Sequence, residues 1–478
     1  MLSLRQPPAV FPVAPFAVQV AWSGSELRNV DLANLREVQS TMSCPASVVA
    51  RRLLVAHTRA ALSSVGIAGT SRRKGADLIL TGAPMTGPDF GALHAAMRKH
   101  VDDQLIPCVS TALLRGREAV DVFCYGLADR ERVVPLRDDH IFRVFSNTKL
   151  VTSCAVMLLV EDGRIALDDP IEAYLPELGS LQVLHPGATR IDDTEPAASA
   201  VTIRQLMTHT SGLSSVLSDP GSPLVLAYAE LGVSNPSVSL AEMTKKLGQL
   251  PLSFQPGTQW KYSLGTDVLG RLVEVISAKS FGEVLSSRIF EPLGMVDTDF
   301  WVPEAKRDRL CALYVGADMT DPMKPGLSRV EDKPYPGAYV SKVPRESAFA
   351  GLVSTLGDMV RLLQGLIPGG PTLLKEETIS EMNRNQLPGD LCVQFPNMPR
   401  FENQRFGLGS AVMTGPVPGQ PDRAVGEVGW GGLAGTAWWI NPRIGIAAVL
   451  MTQRYFGHGH PYTLEFKREA YRSLGFEA

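Results

Sequence analysis

No apolar run in the chain approaches the ~18 residues that a membrane-crossing helix needs, so no helical membrane anchor is expected. The apolar N-terminal stretch from Pro7 to Trp22 is interrupted by Pro7, Pro8, Pro12 and Pro15, which break the continuous core of a secretory signal. Export by the general route is therefore not expected, and a cytoplasmic location is. Cysteine pairs are missing too: Cys44, Cys108, Cys124, Cys154, Cys311 and Cys392 lie far apart, with no C-x-x-C and no Cys/His cluster at zinc-ligand spacing. They read as single buried thiols in a reducing compartment. The one close histidine pair, His458 and His460, has no third ligand near it and reads as a loop, so no metal is expected. Nor is there an excess of charge, since 46 basic against 49 acidic residues leave a net −3. That balance implies neither nucleic acid nor an anionic membrane as partner. Finally, no serine stands in Gly-x-Ser-x-Gly, which excludes the nucleophile elbow of the α/β-hydrolases.

What is present divides unevenly along the chain. With 478 residues, 45% of them apolar and 20% charged, the composition is that of a globular enzyme too long for one hydrophobic core, so at least two structural units are expected. Residues 1–84 hold eight Arg and one Lys against four acidic residues, with nine Ser and little periodicity. Such a leader resembles an organelle transit segment, yet it is long and lacks one amphipathic stripe. It is read as an appended, flexible segment, with Met85 where the organised sequence begins.

From Phe90 to Val101 apolar residues recur at helical spacing, and two strand-like runs follow, Val109 to Leu114 and Ala119 to Tyr125, linked by Arg115-Gly116-Arg117-Glu118. Leu150 to Val160 is strongly apolar and ends at Gly163, as a buried helix with a glycine end would. The stretch from about 164 to 366 alternates helix patterns with Pro and Gly. Strands return at Ala424 to Trp430, Ala434 to Ile440 and Ile444 to Met451, before a last helix from Tyr462 to Leu474. Strands from both ends imply one α/β core from roughly 85–163 and 367–478, with a mainly helical region inserted between.

Ser146-Asn147-Thr148-Lys149 stands at the start of the buried helix. Three residues apart on a helix, hydroxyl and amine share one face. A serine hydroxyl is a poor nucleophile until a base takes its proton, and a desolvated lysine of lowered pKa can share that role. The positive field of the helix start helps keep Lys149 neutral. Spacing alone is a weak signal, because Ser71-Arg72-Arg73-Lys74 also fits it. That copy lies in a charged, glycine-flanked run without an apolar helix behind it and reads as a solvated turn.

A further series of segments makes the pattern specific. Phe145 to Thr152, Leu167-Asp168-Asp169-Pro170, Thr202 to Leu213 and Pro292-Leu293-Gly294-Met295 resemble successive blocks of the class C β-lactamase superfamily, over nearly all of residues 85–478. The resemblance implies a β-lactamase/transpeptidase-like fold, an antiparallel sheet flanked by helices. It also implies a second motif, Tyr-x-Asn, matched by Tyr262-Ser263-Leu264, which keeps the tyrosine and replaces the asparagine. The third family motif, Lys-Thr-Gly, is absent, and Gly429-Trp430-Gly431-Gly432-Leu433 takes its place. By the resemblance, Ser146 is the nucleophile, Lys149 and Tyr262 activate it, and the backbone N–H groups of Ser146 and Leu433 form an oxyanion hole. Leu264, Trp430, Gly431 and Gly432 are then expected to border the substrate pocket. His209 invites a Ser-His reading but belongs to one of the structural blocks, so packing is expected there.

The two departures bear on the substrate. The missing asparagine and lysine normally engage the amide and carboxylate of β-lactams and peptidoglycan stems, whereas Leu264 and Trp430 suit a neutral ester. That combination resembles the family VIII carboxylesterases. The expectation is a cofactor-free carboxylesterase for small, short-chain acyl esters, with the phenol of Tyr262, its pKa lowered by Lys149, as proton acceptor. A β-lactamase or D-alanyl peptidase, an acyltransferase, and a catalytically silent binding protein are the alternatives.

Overall fold

The computed structural model describes residues 88–457 and 460–476. The leader 1–84 lies outside them, together with its reading as an appended segment, and so do His458 and Gly459.

Helix α1, Gly91–Asp102, precedes the hairpin of β1, Cys108–Arg115, and β2, Glu118–Asp129. Gly116 turns between them at φ 56°, a conformation glycine adopts without a steric penalty. After the short β3, Val134–Pro135, the chain leaves the sheet and returns with β4, Gln404–Phe406, β5, Ala411–Met413, β6, Val428–Gly431, β7, Ala437–Asn441, and β8, Ile446–Met451. These eight form one sheet in the order β4-β5-β6-β7-β8-β1-β2-β3. Every neighbouring pair is antiparallel. The first and last of these eight strands in sequence meet where β8 pairs with β1, Met451 opposite Ser110.

Both faces of this central seam are covered. Ala112, Leu114, Val449, Met451 and Trp438 point into the main core with helix α2, Thr148–Glu161. Their sequence neighbours Val109, Leu113, Ala448, Leu450 and Trp439 pack with Leu93 and Met97 of α1 and with Tyr462 and Phe466 of the last helix, Pro461–Ser473. Two-sided burial is why these strands read as unbroken apolar runs rather than as an alternation. Twelve successive residues of α2, Thr148 to Leu159, are buried, so the helix is packed on every side. It ends at Gly163, φ 67°. His460 caps the last helix, its Nδ1 accepting the Tyr462 N–H at 3.2 Å while Nε2 meets the Pro322 carbonyl at 2.6 Å.

The middle of the chain is less purely helical than its pattern suggests. It holds helices such as Pro223–Glu230, Leu240–Leu247 and α3, Gly265–Ser277. It also holds short ladders: Gln182–Leu184 with Thr194–Pro196, Tyr314–Gly316 with Leu327–Arg329, and Val353–Thr355 with Ile141–Arg143. Three-residue strands are too short for a period-two signal, which is why they escape a reading by pattern. The C-terminal strands also start later than expected. Residues Asp422–Ala424 form a 3-10 turn, and Gly432 to Thr436 make the bend between β6 and β7, closed by the Gly432 N–H on the Thr436 carbonyl at 2.7 Å.

Candidate active site

Ser146 sits on a 3-10 turn, Phe145–Asn147, that runs into α2. The regular helix thus begins just after the serine rather than at it. Phe145 is held at φ 44°, a left-handed conformation that costs a non-glycine residue of order 1–3 kcal/mol. Packing fixes it there: its ring meets Tyr339 and Tyr455, with centroids 5.7 and 6.0 Å away. From the other side the β6–β7 bend closes on the same turn. Asn147 Nδ2 donates to Thr436 Oγ1 at 3.1 Å, and Thr436 Oγ1 donates to the Val144 carbonyl at 3.3 Å. Gly432 lies so near that a Cβ there would stand 2.3 Å from both Thr436 Oγ1 and the Val144 oxygen. Only glycine fits this approach, which brings the turn carrying Leu433 beside the Ser146 turn. Leu433 is held in place as its carbonyl accepts the Gly457 N–H at 3.0 Å.

Tyr262 reaches Ser146 directly. Its hydroxyl donates to Ser146 Oγ at 2.8 Å and accepts from Trp430 Nε1 at 3.3 Å. Trp430 therefore does more than border the site, since its indole orients the phenol. Phe349, Phe395 and Trp430 surround the Tyr262 ring at centroid distances of 5.1 to 5.5 Å, and His209 lies at 4.8 Å. Behind Tyr262, its carbonyl accepts the hydroxyls of Ser215 and Ser218.

Lys149 is only 1% exposed, against 7% for Ser146. Its amine donates to the Phe349 carbonyl at 2.6 Å and lies over the rings of Phe349 and Tyr262, 3.3 and 4.5 Å from their centroids. Burial drives its pKa well below the ordinary 10.5, partly opposed by the carboxylate of Asp267. The phenol moves the other way: burial raises Tyr262 above its ordinary 10, despite its bonds to Ser146 and Trp430. This corrects the expectation of a phenol acidified by Lys149. The same aromatic wall that buries Lys149 also buries Tyr262, and for the phenol burial outweighs its two hydrogen bonds.

That burial leaves a mark on stability. Between the lowered native pKa of Lys149 and the unfolded value near 10.5, the unfolded chain binds more protons, so stability rises with pH across that window. Below it the cost is carried in full. Lys149→Met is accordingly expected to raise Tm relative to wild type at neutral pH. The gain should shrink as pH climbs toward 10.5, in paired thermal melts of the two proteins.

His209, at φ 59°, turns its Nδ1 to the Ser263 N–H at 3.2 Å and its ring to Tyr262. Burial and the neighbouring Lys149 hold its pKa well down. Leu264 is buried in the main core, at the residue that precedes α3, while Trp430 packs against both that core and the aromatic group around Tyr262. Phe349, Phe395, Phe406 and Trp260 are not singled out by the sequence, although they build the aromatic wall. Apolar residues scattered over distant segments carry no local spacing that would reveal such a gathering.

A serine-bearing turn at the head of a buried helix, a phenol hydrogen-bonded to that serine and a buried amine over the phenol ring, on an antiparallel sheet flanked by helices, are the features of a serine hydrolase. The sequence profile of the family described as Beta-lactamase matches residues 93–472, and the chain belongs to that family. It is similar to Protein Rv1367c of Mycobacterium tuberculosis, 32% identical over 368 residues, 75% of this chain and 88% of that one. It is also similar to Esterase EstB of Burkholderia gladioli, 32% identical over 363 residues, 72% of this chain and 86% of the relative. Among solved structures the fold matches EstCE1, described as a hydrolase with promiscuous acyltransferase activity, with TM-score 0.67 and 24% identity over 80% of this chain and 97% of the other.

Proposed function

We propose that the protein is a carboxylesterase that hydrolyses small, neutral, short-chain acyl esters through an acyl-enzyme on Ser146. One observation carries the reading: the 2.8 Å hydrogen bond between Tyr262 and Ser146, set beside a lysine driven toward its neutral form. Ser146 Oγ attacks the ester carbonyl as its proton passes to the Tyr262 oxygen while the phenol proton moves on toward Lys149. The lysine is thus the terminal base, and Tyr262 relays. The N–H groups of Ser146 and Leu433 receive the oxyanion. The proton then returns through Tyr262 to the leaving alkoxide, and a water activated along the same path releases the acid.

The aromatic wall and Trp430 favour an apolar, uncharged substrate, in keeping with the name of the relative EstB. An alcohol that replaces water in the second step would make the same site an acyltransferase, in keeping with the promiscuous acyltransferase activity ascribed to EstCE1. Cys108, Cys124, Cys154, Cys311 and Cys392 are free thiols, which suits the proposed cytoplasmic location.

A panel of p-nitrophenyl esters from acetyl to palmitoyl, run beside a chromogenic cephalosporin, tests the proposal. The short chains are expected to show the highest kcat/KM and the cephalosporin little or no turnover. A cephalosporin processed as efficiently as the butyrate ester would overturn the substrate assignment.

A further inference from the structure

The segment Ser347 to Leu352 lies as a strap along α2. Thr152 Oγ1 donates to the Ala348 carbonyl at 2.8 Å, Lys149 to the Phe349 carbonyl at 2.6 Å, and the Leu352 N–H to Thr148 Oγ1 at 3.1 Å. Its other edge is held by one residue of α3. The carboxylate of Asp267, itself buried, accepts the Phe349 N–H at 2.8 Å and the Ser347 hydroxyl at 3.0 Å. Gly270, one turn further along α3, lets the strap approach, since a Cβ there would stand 2.7 Å from that of Ala348. Phe349 is thus held by both of its backbone groups, its N–H by Asp267 and its oxygen by Lys149.

We propose that Asp267 is a positioning residue for Lys149: through the backbone of Phe349 it fixes the amine over the Tyr262 ring, and it supplies a buried negative charge near the amine. The inference rests on the reading of Lys149 as base. The N–H and the oxygen belong to one residue, so a carboxylate that pins the Phe349 N–H also fixes where the Phe349 oxygen meets the amine. The link also joins the two halves of the site, because Tyr262 lies just ahead of α3 while Ser146 and Lys149 lead α2. The titratable groups around the amine are few. Tyr262 and His209 are both pushed toward their uncharged forms by burial, and Arg345 stands 3.9 Å behind Asp267, with its Nε on the Val238 carbonyl at 2.9 Å. Asp267 is the one whose field raises the lysine's proton affinity.

Two variants separate its grip from its charge. Asp267→Ala loses both and is expected to lower kcat by roughly 10–100-fold, the range typical of residues that orient a reacting group from behind, with KM little changed. Asp267→Asn keeps an oxygen for the Phe349 N–H, so most of that kcat is expected to return. Its pH profile should differ from wild type, because without the carboxylate the lysine loses its proton more readily and the ascending limb of kcat/KM moves to lower pH. A role confined to folding would lower Tm and leave the limb in place. An Asp267→Asn enzyme with an unmoved limb overturns the inference, as does an Asp267→Ala enzyme of wild-type kcat; if the alanine variant does not fold, the asparagine variant decides. Should the wild-type protein hydrolyse no ester at all, the proposed function fails separately. The Lys149 pKa, followed by amine NMR in wild type and Asp267→Asn, then still tests the positioning role, with a downward shift expected and none refuting it.

Discussion

Ser146→Ala is expected to abolish ester hydrolysis, with a loss of kcat on the order of 10⁴ or more, while Tm stays close to that of the parent. The alanine removes the only atom that forms the bond to the acyl carbon. The turn that carries it is held by other residues: by Asn147 and Thr436, by the close approach of Gly432, and by the ring of Phe145 against Tyr339 and Tyr455. The phenol of Tyr262 loses its acceptor, but Ser146 retains some exposure, so a water can take the vacated place. Steady-state hydrolysis of p-nitrophenyl acetate, a thermal melt and labelling with a fluorophosphonate suffice as checks. Ester turnover at the wild-type level in the variant would refute the mechanism.

The second large effect is expected at the proton relay. Lys149→Ala and Tyr262→Phe should each lower kcat by roughly 10²–10⁴. The double variant should be hardly worse than the poorer single one, because both residues move the same proton and neither relay is whole without the other. Wild-type kcat/KM should rise with pH along a limb well below 10.5, since the lysine must lose its proton before it accepts one and burial has lowered its affinity. Losses that multiply in the double variant would show the two residues acting in separate steps.

Much of this is legible in the sequence. The seam strands are readable because burial on both faces writes them as apolar runs, and α2 because its burial on every side leaves it strongly apolar from Leu150 onward. Ser146, Lys149 and Tyr262 lie in contiguous blocks, so local context suffices to single them out. What escapes is whatever depends on distant segments meeting. No spacing announces that Phe349 will offer its carbonyl to Lys149, that Asp267 will hold the N–H of the same residue, or that Trp430 will hydrogen-bond to Tyr262. The direction of the Tyr262 shift escapes for a related reason. The shift follows burial, and the aromatic wall that buries the phenol is assembled from separate stretches of chain.

The seam between β1 and β8 has a consequence for how the protein comes off the ribosome. Thr452 Oγ1 donates to the Cys108 carbonyl across a sequence separation of 344 residues, and β8 is the neighbour of β1 on that side of the sheet. During synthesis the β1–β2 hairpin emerges with the edge of β1 unpaired, and its partner arrives only after residues 130–445 have been made. Until then an apolar strand edge is open to any other strand, the condition under which nascent chains aggregate. Closing so long a loop before its contacts reward it also slows folding. Chains halted before Ile446 should therefore collect in the insoluble fraction, and expression should depend on chaperone supply more than the stability of the finished enzyme would suggest.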